Sequence, residues 1–273
     1  MRLGFAFGVL ACAALPGNAQ SVRIGGVCIL PAATDTVDAI LTIAVNAFDP
    51  RQRIPSDYVL AVAQEIGGHI AMPPGMRLGT FGGARSDSTL AYPAETMMAS
   101  FTLDRTGAVV SVAPVSQSLS VAFDSLVLEA VRRTGAAYAI PPAPPGVRGD
   151  TLEFRLVASV GQQIRKGEVL VARLRIPAWR TSRLAVPVPP HVLPQYPESM
   201  RRRGIEGEVV VEFVVGTDSL PVLSTLRVVR QTDVAFWEEV RQVIPRHRVA
   251  PAMIGDCPVP MRVSRPFNFS FAR

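Results

Sequence analysis

The stretch GIEGEVVVEFVVGTDSLPVLSTLRVVRQTD, residues 204–233, decides the fold. Val209, Val211, Phe213 and Val215 alternate with Glu208, Val210, Glu212 and Val214, the pattern of a strand with one apolar face. Gly216-Thr217-Asp218-Ser219 is turn chemistry, and residues 222–229 return as the hairpin partner. Asp233 then reads as a helix N-cap, with Glu238 and Glu239 early in the helix, where its dipole favours negative charge. Phe236, Val240, Val243 and Ile244 share one helical face, and Pro245 ends the helix.

On the N-terminal side of this stretch, Pro197 can open a short helix through Arg203 that Gly204 stops. On the C-terminal side, residues 259–271 read as a last strand with Phe267, Phe269 and Phe271 on one side. Helix, strand, strand, helix, strand is the order of an α+β domain, one helix layer on an antiparallel sheet of about three strands.

The preceding region repeats that plan. Residues 97–103 alternate around Phe101, Asp104-Arg105-Thr106-Gly107 turns, and residues 108–115 return. Ser120 can cap a helix with Phe123, Leu126, Val127, Ala130 and Val131 as its apolar stripe, closed by Gly135. Residues 151–159 and 168–176 follow as strands; upstream, residues 56–70 read as a helix and 40–48 as a strand. Val121-Ala122-Phe123 recurs as Val234-Ala235-Phe236 at the corresponding helix start. The expected organisation is a signal peptide at 1–19, an N-terminal segment at 20–56, a first α+β domain at 57–176, a stiff proline-rich linker at 177–193 and a second α+β domain at 194–273.

The first residues read as an export signal: Arg2, an apolar run from Leu3 to Leu15, then small residues ending at Ala19. An alternative takes Cys12 as an acylated lipoprotein cysteine. No later run is long and apolar enough to span a bilayer, so the mature chain is expected to be soluble. The net charge of +6 comes almost wholly from scattered arginines, with Arg201-Arg202-Arg203 the one tight run, which argues for a solvated basic surface and against a nucleic-acid partner. Cys28 and Cys257 remain in the mature chain, where either a disulfide or two buried thiols is compatible with the sequence.

Several motifs in the last 80 or so residues resemble one family. Pro194-Gln195-Tyr196-Pro197, Gly204-Ile205-Glu206-Gly207, the Val-rich strand through Phe213, and the ending Pro251-Ala252, Gly255, Pro258-Val259 and Pro266-Phe267-Asn268-Phe269 are similar to the C-terminal domain of TonB-type energy transducers. The earlier region, through Phe123-Asp124, Ala130-Val131 and Ile140-Pro141-Pro142, resembles the broader TonB/TolA C-terminal group. The resemblance implies a binding protein that takes an extended peptide of an outer-membrane receptor, or of another envelope protein, by strand addition, linked to TonB-dependent transport. It assigns Gln195, Tyr196 and Pro197 to peptide contact and the last strand, at Phe267, Asn268, Phe269 and Ser270, to the receiving edge. The family's transducers carry an N-terminal membrane helix and a long charged spacer, neither of which this sequence has. A structural envelope module without receptor binding is the alternative.

Pro258, Pro260 and Pro266 share parity, so all three remove donors from one edge of the last strand, an edge expected to face solvent. No enzyme constellation is present: His69, His191 and His247 are dispersed, and there is no nucleophile elbow, P-loop or C-x-x-C motif. No catalytic residue, metal or cofactor is expected. His247 reads as a helix-terminal cation, Tyr196 equally as a packing residue, Gly204 and Gly207 as turn formers, and Gly79-Thr80-Phe81-Gly82-Gly83 as a flexible loop.

Overall fold

The computed structural model describes residues 22–24, 27–33, 35–73, 76, 78–82, 90–137 and 139–271. The export segment at 1–19, with Cys12, lies outside them. The fold is mixed α+β, with several antiparallel sheets and few helices.

The first half opens with a small hairpin of β1 (Val22–Ile24) and β2 (Val27–Ile29). It continues with β3 (Asp35–Ala47), α1 (Ser56–Gly68), β4 (Phe81–Gly82), β5 (Leu90–Pro93), β6 (Glu95–Asp104) and β7 (Val109–Ser116). It closes with α2 (Val121–Ala136), β8 (Thr151–Gly161) and β9 (Val169–Arg180). The β6–β7 turn forms because the Asp104 carboxylate accepts from the Thr106 and Ala108 amides at 2.8 and 3.0 Å. Ser120 caps α2 as expected, its Oγ accepting from the Phe123 amide at 3.2 Å. Gly135, expected to end that helix, lies inside it.

The second half contains β10 (Val186–Pro187), α3 (Glu198–Arg202), β11 (Gly207–Val215), β12 (Pro221–Gln231) and α4 (Val234–Val243). The short strands β13 (Val249–Ala250), β14 (Ala252–Ile254) and β15 (Cys257–Val259) lead to β16 (Met261–Phe269). Val209, Val211, Phe213 and Val215 are all fully buried and pack on Phe236 and Val240 of α4, so the alternation in the sequence does what it promises. Asp233 caps α4 by accepting from the Ala235 amide at 2.9 Å. Pro245 falls in a 3-10 turn that follows the helix. Gly204 stops α3 with φ +64, whereas Gly207 is no turn former: it starts β11, and a Cβ there would meet the Phe236 ring at 2.3 Å.

The two halves share a core plan. β6 lies between β7 and β8, as β11 lies between β12 and β16, and a helix opening with Val-Ala-Phe joins the second and third strands in each. The strands read at 40–48 and 168–176 extend the three-strand plan of the first half: β3 pairs along β8, and β9 along β3.

Two expectations give way. The last strand is not continuous over 259–271: β15 pairs with β14, the chain steps at Pro260, and β16 pairs with β11. A residue without an amide hydrogen marks the step between the two ladders. The glycine-rich stretch is also no flexible loop over its described part. The carboxylate of Glu95, fully buried, accepts from the Gly79 amide at 2.6 Å and from the Thr80 amide and hydroxyl at 3.0 Å each. Phe81 then pairs in parallel with Met261, its amide donating to the Pro260 carbonyl at 2.9 Å.

That contact joins the halves into one sheet of ten strands, in the order β12-β11-β16-β4-β5-β9-β3-β8-β6-β7. The two outermost strands also meet, the Gln117 amide donating to the Ser224 carbonyl at 2.7 Å. The face of β11 turned away from α4 is therefore covered too: Val214 is fully buried, and Glu212 forms a buried ion pair with Arg227 at 2.5 Å. Most of the proline-rich stretch 177–193 is tied down. Pro177 and Ala178 pair with Thr36 and Asp35, the Trp179 indole donates to the Pro31 carbonyl at 2.9 Å, and Val186–Pro187 pairs with Val249–Ala250. Cys28 and Cys257 form a disulfide, with Cα atoms 5.6 Å apart.

Candidate functional site

The outer side of β16 is the candidate site. Its register against β11 runs from Met261 to Phe269 without a shift, so residues of one parity turn their amides and carbonyls to β11 and residues of the other turn them away. The Pro260 carbonyl accepts from Phe81 and so faces away from β11. Ser264, Pro266 and Asn268 have the same parity, and all three are exposed. Among the described residues, strand pairing on this side stops at Met261.

The expectation of a proline-blunted solvent edge is thus corrected. Pro258 belongs to β15, the Pro260 position meets β4, and only Pro266 lies within β16. Pro266 withholds one donor but keeps its carbonyl, so Ser264, Pro266 and Asn268 together present an incomplete ladder.

The residues named from the sequence fall into two groups that the fold brings together. Phe267 and Phe269 are buried beneath β16, while Asn268 and Ser270 are exposed. Gln195 is exposed, Pro197 is buried as the N-cap of α3, and Tyr196 lies between them, half-buried. The Tyr196 ring stacks on Phe271 at 5.0 Å and meets Phe269 and Phe236 edge-on, each at 5.9 Å. Its hydroxyl donates to the Ile205 carbonyl at 2.7 Å. Tyr196 therefore fastens the 194–197 segment to the end of β16, and the exposed Gln195 sits beside that junction.

His247 is not the solvated helix-terminal cation expected. It is 1% exposed, edge-on to Phe267 at 6.0 Å, and burial followed by the charge of Arg265 pushes its pKa below the usual value, so the ring is neutral at pH 7. Sequence reasoning missed it because the flanking Arg246 and Arg248 suggest a charged surface. Among the described residues no group of His, Cys, Asp and Glu could hold a metal ion, and no helix is long and apolar enough to cross a membrane.

The family model for the Gram-negative bacterial TonB protein C-terminal matches residues 192–271. These residues are a TonB C-terminal domain. Among solved structures, the solution NMR structure of the Pseudomonas aeruginosa TonB CTD is similar at 28% identity, over 33% of this chain and 88% of that one, with a TM-score of 0.28. No curated protein matches the chain. The TonB C-terminal domain thus spans α3 through β16 and contains the candidate edge.

Proposed function

We propose that this chain is an exported, periplasmic binding protein whose TonB C-terminal domain takes an extended peptide of an outer-membrane receptor, or of another envelope protein, along Ser264–Asn268. Gln195, Tyr196, Pro197 and Ser270 frame one end of that peptide. The observation that carries this reading lies in the first half. β8 occupies the position there that β16 occupies in the second, and its outer edge bears β3 over the whole span from Ile40↔Gly161 to Ala47↔Phe154. The same three-strand plan accepts a fourth strand on the edge that β16 leaves open beyond Met261.

An open edge attracts an extended segment because its amides and carbonyls have no strand partner. About four or five net bonds of ~1 kcal/mol each, set against the entropy lost on association, give weak and reversible binding. The Cys28–Cys257 disulfide suits an oxidising compartment, as the periplasm is.

The test is to replace Asn268 by proline in the full chain. The substitution removes an outward-facing amide without touching the core, since Asn268 is exposed. Capture of a TonB-dependent receptor from outer-membrane extract should fall about tenfold for Asn268→Pro and stay unchanged for Asn268→Ala. Equal capture by both variants would refute pairing at this edge.

A further inference from the structure

The face of β6 turned away from α2 is closed at one end and open at the other. Thr96 and Met98 are buried on it, and the Thr96 carbonyl accepts from Arg262 of the second half at 3.2 Å. Further along β6, Ser100 and Thr102 keep to the same face and are only half-buried. A depression of about 310 Å³ opens over them. Ser100 lies opposite Arg155 and Thr102 opposite Glu153 across the β6–β8 ladder, above the buried pair Phe101 and Phe154. Phe48, whose amide donates to the Glu153 carbonyl at 2.8 Å, walls the side of β3, and Val115 walls the side of β7. The two rims stand three strand spacings apart, about 14 Å.

The lining is balanced in charge and mixed in polarity. Glu153 and Arg155 supply one carboxylate and one guanidinium, and among the described residues they form no ion pair with each other. The Arg155 guanidinium lies instead over the Phe48 ring, 4.6 Å from its centroid. Phe48 is 51% exposed and Val115 49%, so both rims keep apolar surface in water. The Ser111 hydroxyl donates to Thr102 Oγ1 at 3.1 Å, which leaves the Thr102 proton to be donated elsewhere. Three classes of occupant fit such a lining poorly. A peptide strand finds no ladder, because β8 is paired by β3 and β6, and β6 by β8 and β7. An acyl chain would strip water from two charges and two hydroxyls without replacing it. A strongly charged ligand meets a like charge at Glu153 or Arg155, whatever its sign.

We propose that this depression binds a neutral saccharide, with the C–H face of a sugar ring on Phe48 and its hydroxyls on Glu153, Arg155, Ser100 and Thr102. A sugar ring presents an apolar face and a rim of hydroxyls that donate and accept at once. The Glu153 carboxylate accepts from those hydroxyls, the Arg155 fork donates to them, and the charge strengthens each bond. The volume falls at the lower end of the range of about 300–1,000 Å³ typical of ligand pockets, and the span between the rims suits a short oligosaccharide laid across the strands. The site lies wholly in the first half and does not depend on the edge of β16.

The experiment titrates the full chain with maltotriose, cellotriose and triacetylchitotriose, each to about 20 mM so that millimolar affinity is covered. Binding is read from backbone amide shifts. The expected result is that at least one of these sugars shifts Phe48, Ser100, Thr102 and Arg155 while leaving Ser264 and Asn268 in place. Phe48→Ala should weaken that binding about tenfold and Glu153→Gln about threefold, through loss of the platform and of a charged acceptor. Both side chains are exposed, so neither change disturbs the core. No shift with any of the sugars, shifts centred elsewhere, or binding unaltered in Phe48→Ala overturns the proposal. A capped Ser-Gly-Ser tripeptide that produces the same shifts also overturns it, by showing a polar surface without preference for sugars. Receptor capture along β16 is untouched by either variant, so the saccharide site and that edge fail separately.

Discussion

The amide of Phe81 donates to the carbonyl of Pro260 at 2.9 Å, and there the first half of the chain takes up the start of the β16 edge. The site proposed for a guest strand begins where that occupancy ends. Glu95 supports the arrangement, because its carboxylate holds the Gly79 and Thr80 amides immediately before Phe81.

Glu95→Gln should therefore loosen the junction. The amide group of Gln turns a donor toward the amides of Gly79 and Thr80 and removes one of the two negative charges, Glu95 and Glu212, that act on Arg262, a loss of about 2–4 kcal/mol by urea unfolding.

The same variant isolates a pH effect. Burial, partly offset by hydrogen bonds from Thr80, Gly79 and Leu119, raises the Glu95 pKa above its ordinary value. A raised carboxyl pKa stabilises the fold fully below the unfolded pKa, and that contribution is lost as pH rises through the folded pKa. The stability of the native sequence relative to Glu95→Gln should accordingly grow on acidification from neutral pH into the ordinary carboxylate range. A difference that shrinks over that interval contradicts the assignment.

Tyr196 is expected to act mainly through packing. Tyr196→Phe removes one hydrogen bond, to the Ile205 carbonyl, and should cost about 1 kcal/mol. Tyr196→Ala also removes the ring from between Phe236, Phe269 and Phe271 and should cost about 2–4 kcal/mol. Peptide affinity close to native in Tyr196→Phe, measured where the protein is fully folded, separates this support from direct contact by the hydroxyl.

The disulfide closes a loop across a separation of 229 residues, between a half-buried Cys28 and a fully buried Cys257. Replacing both cysteines by serine should lower stability by about 2–5 kcal/mol through the freed unfolded chain. Denaturant curves of the native and substituted chains check this; coincident midpoints contradict it.

Much of the second half is legible from local pattern. The Val209-Val211-Phe213-Val215 alternation, the Asp233 cap and the Gly204 stop each rest on forces acting within a few residues. The junction between the halves is not legible that way, because it depends on single long-range contacts. Phe81 and Gly82 are too short a strand to show a period, and the carboxylate that orders the residues before them lies in a different strand. One signal was present. Val210 and Val214 share the face of β11 that reads as polar, and that face is covered by the first half, with Val214 fully buried. The Arg265–His247 environment was hidden for a similar reason: two flanking arginines suggest solvent, whereas the ring itself turns inward against Phe267.

Residue-resolved amide exchange of the full chain, alone and with a strand-forming peptide bound, tests the central claim most directly. Val263, Arg265 and Phe267 face β11 and should exchange slowly throughout, while Ser264 and Asn268 should exchange freely in the unbound chain and slow at least tenfold on binding. Slow exchange at Ser264 and Asn268 in the unbound chain would mean that the edge is already filled, contradicting the account.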